Sequence, residues 1–289
     1  MIFTQLDKAI KMTEFNNFDI GEILECGQCF RFEKLDEGFY FLVAFGKVLY
    51  VRQDSEAVLF WYESGVLEPE EFKSVWIPYF DLDRDYGAIS ARFAENDPVM
   101  SDAIAFAPGI RVLNQEPWEM VISFIISQNN RIPQIKKVIK NISERYGTKI
   151  DDTNYAFPTV EQLLAARPED LRECKTGFRD KYILDASHKA ANKELHLGRD
   201  IDATTEGLRQ SLLSVKGIGE KVAHCILLFG YGRFDTFPVD TWVRKVMEEY
   251  YFGGNKASVA DIHKFAYERF GALSGIAQQY LFHYIRLKT

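Results

Sequence analysis

The chain has 289 residues, of which 47% are apolar and 27% charged, the balance of a soluble globular protein with one large domain or two ordinary ones. Four cysteines in a chain of this length exclude a disulfide scaffold, and no run approaches the roughly 20 apolar residues of a membrane helix. The net charge is −7, but residues 1–100 carry a balance of −10 and residues 101–289 one of +3, so the total does not exclude an anionic partner. The start lacks the basic head and apolar run of a secretory signal, and we expect a reducing, intracellular compartment.

The first third of the chain is predicted to be β-structure. Residues 39–45 and 47–52 are rich in aromatic and β-branched side chains and flank Gly46, a pattern typical of an antiparallel hairpin. Residues 57–62 predict a further strand. The composition then becomes acidic and irregular up to about residue 85.

Helical patterns dominate from about Tyr86 onward. Residues 118–128 are almost all apolar, which predicts a helix buried on most sides. Asn129 and Asn130 can end this helix because Asn tolerates the left-handed conformation, and Pro133 suits the first turn of the next one. We therefore predict an antiparallel sheet followed by a helical bundle, an α+β fold.

One stretch after this turn is strongly basic. It holds a single acid, Glu144, and six basic residues: Arg131, Lys136, Lys137, Lys140, Arg145 and Lys149. A solvated helix face explains such a stretch, and so does contact with an anionic polymer.

Residues 208–230 predict two helices joined by a tight turn. Leu208 and Leu212 fall on one helical face, and the turn has the sequence Gly-Ile-Gly, with Gly217 and Gly219. We expect these glycines to allow close approach of backbone segments, which would leave amides at a helix N-terminus free to hold a phosphate. An ordinary helical corner also uses glycine, but the combination L-x-x-V-x-G-I-G-x-K-x-A is more specific.

Lys221 lies in the first turn of the second helix, where the helix dipole disfavours an ammonium. With partial burial this predicts a lowered pKa and a neutral amine, which can attack carbon and form a Schiff base. Cys225 lies four residues further on the same face. The alternatives without a catalytic role are a surface position for Lys221 and a core-filling position for Cys225.

Asp240 precedes an apolar helical run and is predicted to be its N-cap. A capping carboxylate is held rigidly and keeps one oxygen for a substrate. It could stabilise a developing cation or accept a proton.

At this point the sequence resembles the helix–hairpin–helix DNA glycosylases, and among them the 8-oxoguanine DNA glycosylase/AP lyases. Besides the hairpin, the resemblance is carried by residues 27–32 (GQCFRF), 113–118 (LNQEPW), 127–130 (SQNN), 177–179 (GFR), 230–240 (GYGRFDTFPVD) and 275–282 (GIAQQYLF). It implies an N-terminal sheet domain of residues 1–110 and a helical HhH-GPD domain of residues 111–289. It also implies duplex DNA as partner and no metal or other cofactor. We expect a monomer, cytoplasmic at the nucleoid in a prokaryote and nuclear otherwise.

The resemblance also assigns roles to residues of the active site. Lys221 matches the lysine that attacks the sugar C1′, and Asp240 the aspartate that supports base excision. The base pocket is assigned to Gly27, Cys225, Gln278 and Phe282. The Gly27 carbonyl would accept the N7 proton of 8-oxoguanine, Cys225 and Phe282 would sandwich the base, and Gln278 would bind its pyrimidine edge. Gln278 and Phe282 share one helical face, although Phe282 could be a core residue and Gly27 a turn residue.

DNA contacts are assigned in the same way. Asn129 matches the residue that fills the gap in the duplex, Phe178 the wedge, and Arg179 the reader of the opposite strand. Further contacts are assigned to Gln134, Gly217, Gly219, Val222 and Trp242. Two positions depart from the animal-type enzymes, since Gln134 stands where they have arginine and Phe178 where they have tyrosine. We therefore predict a weaker preference for cytosine opposite the lesion.

Three alternative functions remain from the residues alone, of which a small-molecule enzyme has no phosphate loop or catalytic triad to support it. A non-catalytic DNA-binding module would not need Lys221 and Asp240 together, and an alkyl-purine glycosylase would not need a lysine nucleophile. Cys26 and Cys29 form a C-x-x-C that could be a redox or metal half-site, but Cys174 and Cys225 do not complete a zinc spacing. A role as small residues beside the base pocket is therefore favoured for this pair.

Overall fold

The computed structural model describes residues 1–199 and 203–288. Its strands are β1 (Ile2–Gln5), β2 (Ala9–Thr13), β3 (Phe32–Asp36), β4 (Phe39–Ala44), β5 (Lys47–Gln53) and β6 (Val58–Trp61). They form one sheet in the order β1-β2-β6-β5-β4-β3, and every neighbouring pair is antiparallel.

One helix, α1 (Ile20–Glu25), lies between β2 and β3, and the other helices follow the last strand of the sheet. These others are α2 (Pro69–Glu71), α3 (Ile77–Tyr79), α4 (Tyr86–Ala94), α5 (Pro98–Phe106), α6 (Pro117–Ser127), α7 (Ile132–Tyr146), α8 (Val160–Leu164), α9 (Pro168–Glu173), α10 (Asp180–Ala191), α11 (Thr205–Leu213), α12 (Glu220–Tyr231), α13 (Thr241–Val246), α14 (Val259–Phe270) and α15 (Ser274–Lys288). Within residues 1–199 and 203–288, no helix is long and apolar enough to cross a bilayer.

The predicted hairpin is confirmed as β4 and β5. Phe45 and Gly46, the two residues between the strands, have φ values of 53° and 69°, as a type I′ turn requires. The strand predicted at 57–62 is β6. β1, β2, β3 and α1 are additional to the predicted elements.

The buried helix is confirmed as α6, in which every residue from Glu119 to Ile126 is buried. Asn129 has a φ of 49° after its end, and Pro133 lies in the first turn of α7. α6 packs against α12, where the rings of Phe124 and Phe229 stack with centroids 5.7 Å apart. Lys221 Nζ lies 5.9 Å from the same Phe124 ring centroid, which places the first turn of α12 beside α6 as well.

Two hydrophobic cores support the molecule. The first lies against the sheet and is rich in aromatic residues such as Phe60, Trp76 and Phe80. The second fills the helical part. Tyr86 and Phe93 of α4 belong to this second core although they precede the predicted domain boundary at residue 110.

Candidate active site

The two helices predicted around the Gly-Ile-Gly turn are α11 and α12. Gly217 has a φ of 84°, and a Cβ there would lie 2.5 Å from the Tyr182 ring, so only glycine fits. The expectation for Gly219 is wrong, because a Cβ there would meet nothing within 4 Å. The expectation of close backbone contact is also wrong for Gly217, because the neighbour that excludes a Cβ there is the Tyr182 side chain and not backbone.

The first turn of α12 offers free backbone amides. Gly219 is the N-cap residue and supplies no side-chain cap, so the N–H groups of Glu220, Lys221 and Val222 have no partner within the helix. The Val222 side chain is buried in the core, which leaves only its amide for a ligand. Trp242, in the first turn of α13, is 36% exposed.

All six residues predicted for catalysis and base binding line one cavity. These residues are Gly27, Lys221, Cys225, Asp240, Gln278 and Phe282, and Phe124, Phe229, Pro238 and Gln279 complete the lining. The cavity has a volume of about 50 Å³, room for a few water molecules. A purine is larger, so the lining side chains must move to admit one.

The prediction of a lowered pKa for Lys221 is wrong. Its pKa is raised by the charges of Cys225 and Asp240 and by its hydrogen bond to Cys225, whereas burial acts in the opposite direction. Much of the Lys221 side chain is exposed, which weakens the effect of burial. Burial raises the pKa of the Cys225 thiol, so Asp240 is the anionic neighbour at neutral pH. The free protein therefore holds an ammonium at this position.

Asp240 is the N-cap of α13, as predicted. Its Oδ1 accepts a hydrogen bond of 2.8 Å from the Val243 amide. The loop that leads to it is fixed at both ends, because the Gly275 amide donates to the Phe234 carbonyl and His263 Nε2 lies 2.9 Å from the Phe237 carbonyl oxygen. The carboxylate is therefore rigidly placed at the cavity.

Gln278 is 4% exposed, and its Oε1 has no hydrogen-bond partner among the described residues. A buried amide oxygen without a partner is costly. Because Gln278 lines the cavity together with Lys221, a ligand with a hydrogen-bond donor would satisfy it there.

Sequence reasoning missed the residues that hold Gly27 in place. The Gln28 side chain is fully buried and bridges the chain, since its amide donates to the Arg111 carbonyl and its oxygen accepts from the Leu113 amide. Gln279 donates to the Cys26 carbonyl over 3.0 Å. Both glutamines lie in motifs that carry the resemblance, GQCFRF and GIAQQYLF, but a polar side chain is typical of the surface and does not by itself indicate burial.

Arg286 is a further residue that sequence reasoning missed. It donates to the Glu25 carbonyl, and its guanidinium lies 5.2 Å from the Phe282 ring centroid. At Gly27, where φ is 89°, a Cβ would lie 2.8 Å from Arg286 Nη1 and 3.3 Å from Phe282 Cε1. Glycine is therefore required at the mouth of the cavity.

Three residues assigned to the DNA surface, Asn129, Phe178 and Arg179, lie on two neighbouring turns. Phe178 is 53% exposed, in a 3₁₀ turn that spans Gly177–Arg179, and Asn129 and Gln134 are also exposed. Arg179 is instead 8% exposed and donates to the backbone carbonyls of Gln128 and Asn129. In the free protein it holds the Asn129 turn in place.

The four cysteines are free and buried. Burial raises the pKa of Cys26 to about 11 and that of Cys29 well above its usual value, so both thiols are neutral at physiological pH. Within residues 1–199 and 203–288, no three or more His, Cys, Asp or Glu side chains cluster as metal ligands.

Two family models match nearly the whole chain. Residues 10–121 match the N-terminal domain of 8-oxoguanine DNA glycosylase, and residues 122–270 match the HhH-GPD superfamily base excision DNA repair proteins. The chain belongs to the HhH-GPD superfamily of base excision DNA repair proteins. The predicted fold and resemblance are thereby confirmed.

Individual relatives agree with this membership. The N-glycosylase/DNA lyase of Saccharomyces cerevisiae is 32% identical over 84% of this chain and 71% of its own length. The 8-oxoguanine glycosylase/lyase of Clostridium acetobutylicum, bound to DNA with cytosine opposite 8-oxoguanine, is 41% identical with a TM-score of 0.93. It matches over 100% of this chain and 98% of its own. The 3-methyladenine DNA-glycosylase of Archaeoglobus fulgidus, 21% identical with a TM-score of 0.74 over 96% of this chain and 99% of its own, shares the fold.

A pair of histidines behind the Asp240 loop makes stability depend on pH. His224 and His263 stack with centroids 4.7 Å apart. Burial and the charge of His263 lower the pKa of His224 to about 4, and burial lowers that of His263. At these two sites the unfolded chain therefore binds more protons, so their contribution to stability is full above the unfolded pKa of about 6.5 and is lost as the pH falls.

For His224 alone we expect a loss of about 2 kcal/mol in the free energy of unfolding between pH 7 and pH 5. Because other groups also titrate in this range, the contribution is measured as the difference between the wild type and His224→Gln in urea unfolding at the two pH values. His224→Gln should reduce the loss, whereas His188→Gln, at an exposed position, should leave it unchanged. An equal loss in His224→Gln and the wild type would contradict the assignment.

Proposed function

We propose that this enzyme excises 8-oxoguanine from duplex DNA and then cuts the abasic strand. The observation that carries the proposal is the unpartnered Gln278 oxygen in the same cavity as the Lys221 amine. Excision needs a pocket that recognises one base and a nucleophile that reaches its sugar. The cavity combines both, and the family membership and the named relatives support the same reaction.

Lys221 is the proposed nucleophile. It must first lose its proton, and Asp240 is the carboxylate at the cavity that can accept it. The amine then forms a bond to C1′ as the glycosidic bond breaks and its electron pair leaves with the base. Asp240 stabilises the positive charge that develops on the sugar. The resulting imine allows β-elimination, which breaks the strand 3′ to the lesion.

Gly27 is the proposed discriminator between 8-oxoguanine and guanine. No donor among the described residues is bonded to its carbonyl. That carbonyl can accept the proton on N7 of 8-oxoguanine, whereas guanine would present a lone pair. A site built for one hydrogen bond rejects an analogue that lacks it. Cys225 and Phe282 would contact the two faces of the base.

The proposed DNA surface consists of the α12 amides and the turns at Asn129 and Phe178. Phosphates bind helix N-termini without side-chain charge. Phe178, which is 53% exposed, suits insertion into the base stack. Extrusion of the damaged nucleotide costs a few kcal/mol, which these contacts offset. We place the protein, as a monomer, in the compartment that holds the DNA.

The function is tested on duplexes that differ at one base. We expect cleavage of a duplex with 8-oxoguanine and none of its guanine counterpart under the same conditions. A duplex with 3-methyladenine serves as the arm for the alternative, an alkyl-purine glycosylase. Excision of 3-methyladenine with an intact 8-oxoguanine strand would overturn the proposal.

Gln134 should weaken the selection of the opposite base. An arginine can make a bidentate contact to a base that is worth about 1–3 kcal/mol of discrimination, and glutamine at this exposed position makes a weaker one. We expect Gln134→Arg to raise the preference for cytosine over the other bases by about tenfold. Single-turnover excision opposite each of the four bases measures the change. A steep cytosine preference already present in the wild type, unaffected by the substitution, contradicts this prediction.

A further inference from the structure

A second, larger cleft lies between the sheet and α7. Its volume is about 490 Å³, in the range of small-molecule sites. Strands β3 and β4 form one wall, α7 forms the other, and residues 153–155 close one end. No residue lines both this cleft and the cavity at Lys221, so it is a separate feature of the fold.

The cleft carries positive charge that the protein does not neutralise. Two of its basic groups are paired, Arg31 with Glu119 and Lys34 with Glu37. Its other cations, Lys136, Lys137 and Lys140, form no ion pair with any residue in the described ranges.

Acidic groups in the cleft do not remove this excess. Its two acidic residues are Glu33 and Glu144, fewer than the three unpaired lysines. A concave surface with uncompensated lysines concentrates anions. The charge of the cleft therefore favours an anionic ligand.

Ser143 provides an independent sign of a ligand. It is 3% exposed and lines the cleft, and its hydroxyl has no hydrogen-bond partner in residues 1–199 and 203–288. Ser143 follows Lys136 and Lys140 at helical spacing, so the three share one face of α7. A hydroxyl on the same helix face as two lysines is suited to an oxyanion.

Aromatic rings form the opposite wall. Phe41, on β4, and Tyr155, at the closed end, are partly exposed in the cleft, whereas the Phe32 ring is buried in the core against the sheet. Lys136 Nζ stands 3.3 Å from the Phe32 ring centroid and donates to the Phe32 carbonyl, which fixes an ammonium beside a ring. Flat apolar groups stack on such surfaces. The ligand is therefore expected to combine a ring with an anion.

We propose that this cleft is a second ligand site, which binds a nucleoside phosphate with its phosphate at Lys136, Lys140 and Ser143 and its base against Phe41 and Tyr155. The same chemistry is presented by a free mononucleotide and by a nucleotide within a single strand. The proposal does not depend on the excision reaction, because it uses no residue of the cavity at Lys221.

Calorimetric titration of the full chain tests the site, with dGMP, deoxyguanosine and inorganic phosphate as probes. We expect saturable binding of dGMP, at least about tenfold tighter than either of the other two. A short single-stranded oligonucleotide forms a further arm. Tighter binding of the oligonucleotide, lost through the same substitutions, identifies a strand as the source of the nucleotide.

Two substitutions test the residues. Lys140→Gln should weaken dGMP binding about tenfold, and Ser143→Ala about fivefold. Ser143→Ala should also keep the thermal midpoint, because the hydroxyl has no partner to lose. Lys256→Gln, at an exposed loop position, and Gln278→Ala, in the other cavity, should bind dGMP like the wild type. No saturation up to about 10 mM dGMP, or binding lost in Gln278→Ala but kept in Lys140→Gln, would overturn the proposal.

Discussion

Replacement of Lys221 by Gln is expected to lower the single-turnover rate of base excision by about 10³-fold or more and to abolish strand cleavage. Glutamine keeps a polar side chain of similar length but cannot form an imine. Since much of Lys221 is exposed, the variant should fold and bind DNA. Gel assays of excision and strand cleavage, with and without alkali, separate the two steps.

The matched control for this variant is Lys245→Gln, at an exposed position in the last turn of α13. It removes the same charge away from the cavity and should retain the wild-type rates. Loss of activity in both variants would show that charge on the DNA surface matters rather than a nucleophile. Unchanged cleavage in Lys221→Gln would move the nucleophile to another residue.

Replacement of Asp240 by Asn is expected to lower the excision rate about 10²-fold. Asparagine is as good an N-cap as aspartate, so the hydrogen bond to the Val243 amide and the thermal midpoint should persist. The carboxylate charge disappears, and with it the stabilisation of the cationic sugar. Because Asp240 raises the pKa of Lys221, the pH at which the amine becomes reactive should also fall.

The pH–rate profile separates this role from a purely structural one, because a lost cap would lower the rate at every pH equally. Asp85→Asn is the control, since Asp85 caps α4 in the same way through the Ala88 amide. That variant should be fully active. A wild-type rate and an unshifted profile in Asp240→Asn would remove Asp240 from the chemistry.

Local features of this fold could be predicted from the sequence. The antiparallel hairpin at Gly46, the capping role of Asp240 and the end of α6 at Asn129 depend on neighbouring residues and on backbone preferences. The position of Cys225 one turn after Lys221 follows from helical geometry. Only the resemblance to a known family assigned residues that are far apart in the chain, such as Gly27 and Gln278, to the same site.

Long-range features could not be derived from local patterns. Gly27 reaches the cavity because Gln279, 253 residues after Cys26, donates to the Cys26 carbonyl. The lowered pKa predicted for Lys221 follows from the dipole of its own helix and from burial, whereas the charge of Asp240, which raises the pKa, comes from the loop before α13. Gly219 was expected to prevent a collision, but the neighbouring space that decides this depends on the tertiary fold.

The central claim is that the Lys221 amine, in the cavity formed with Gln278 and Asp240, becomes bonded to the sugar of the excised nucleotide. Borohydride reduction during reaction with an 8-oxoguanine duplex, followed by mass spectrometry of the cross-linked peptide, tests it most directly. The account predicts one DNA adduct, located on Lys221 and absent from Lys221→Gln. An adduct mapped to another amine, such as Lys136 or the N-terminus, or efficient excision with no trapped adduct, would contradict it.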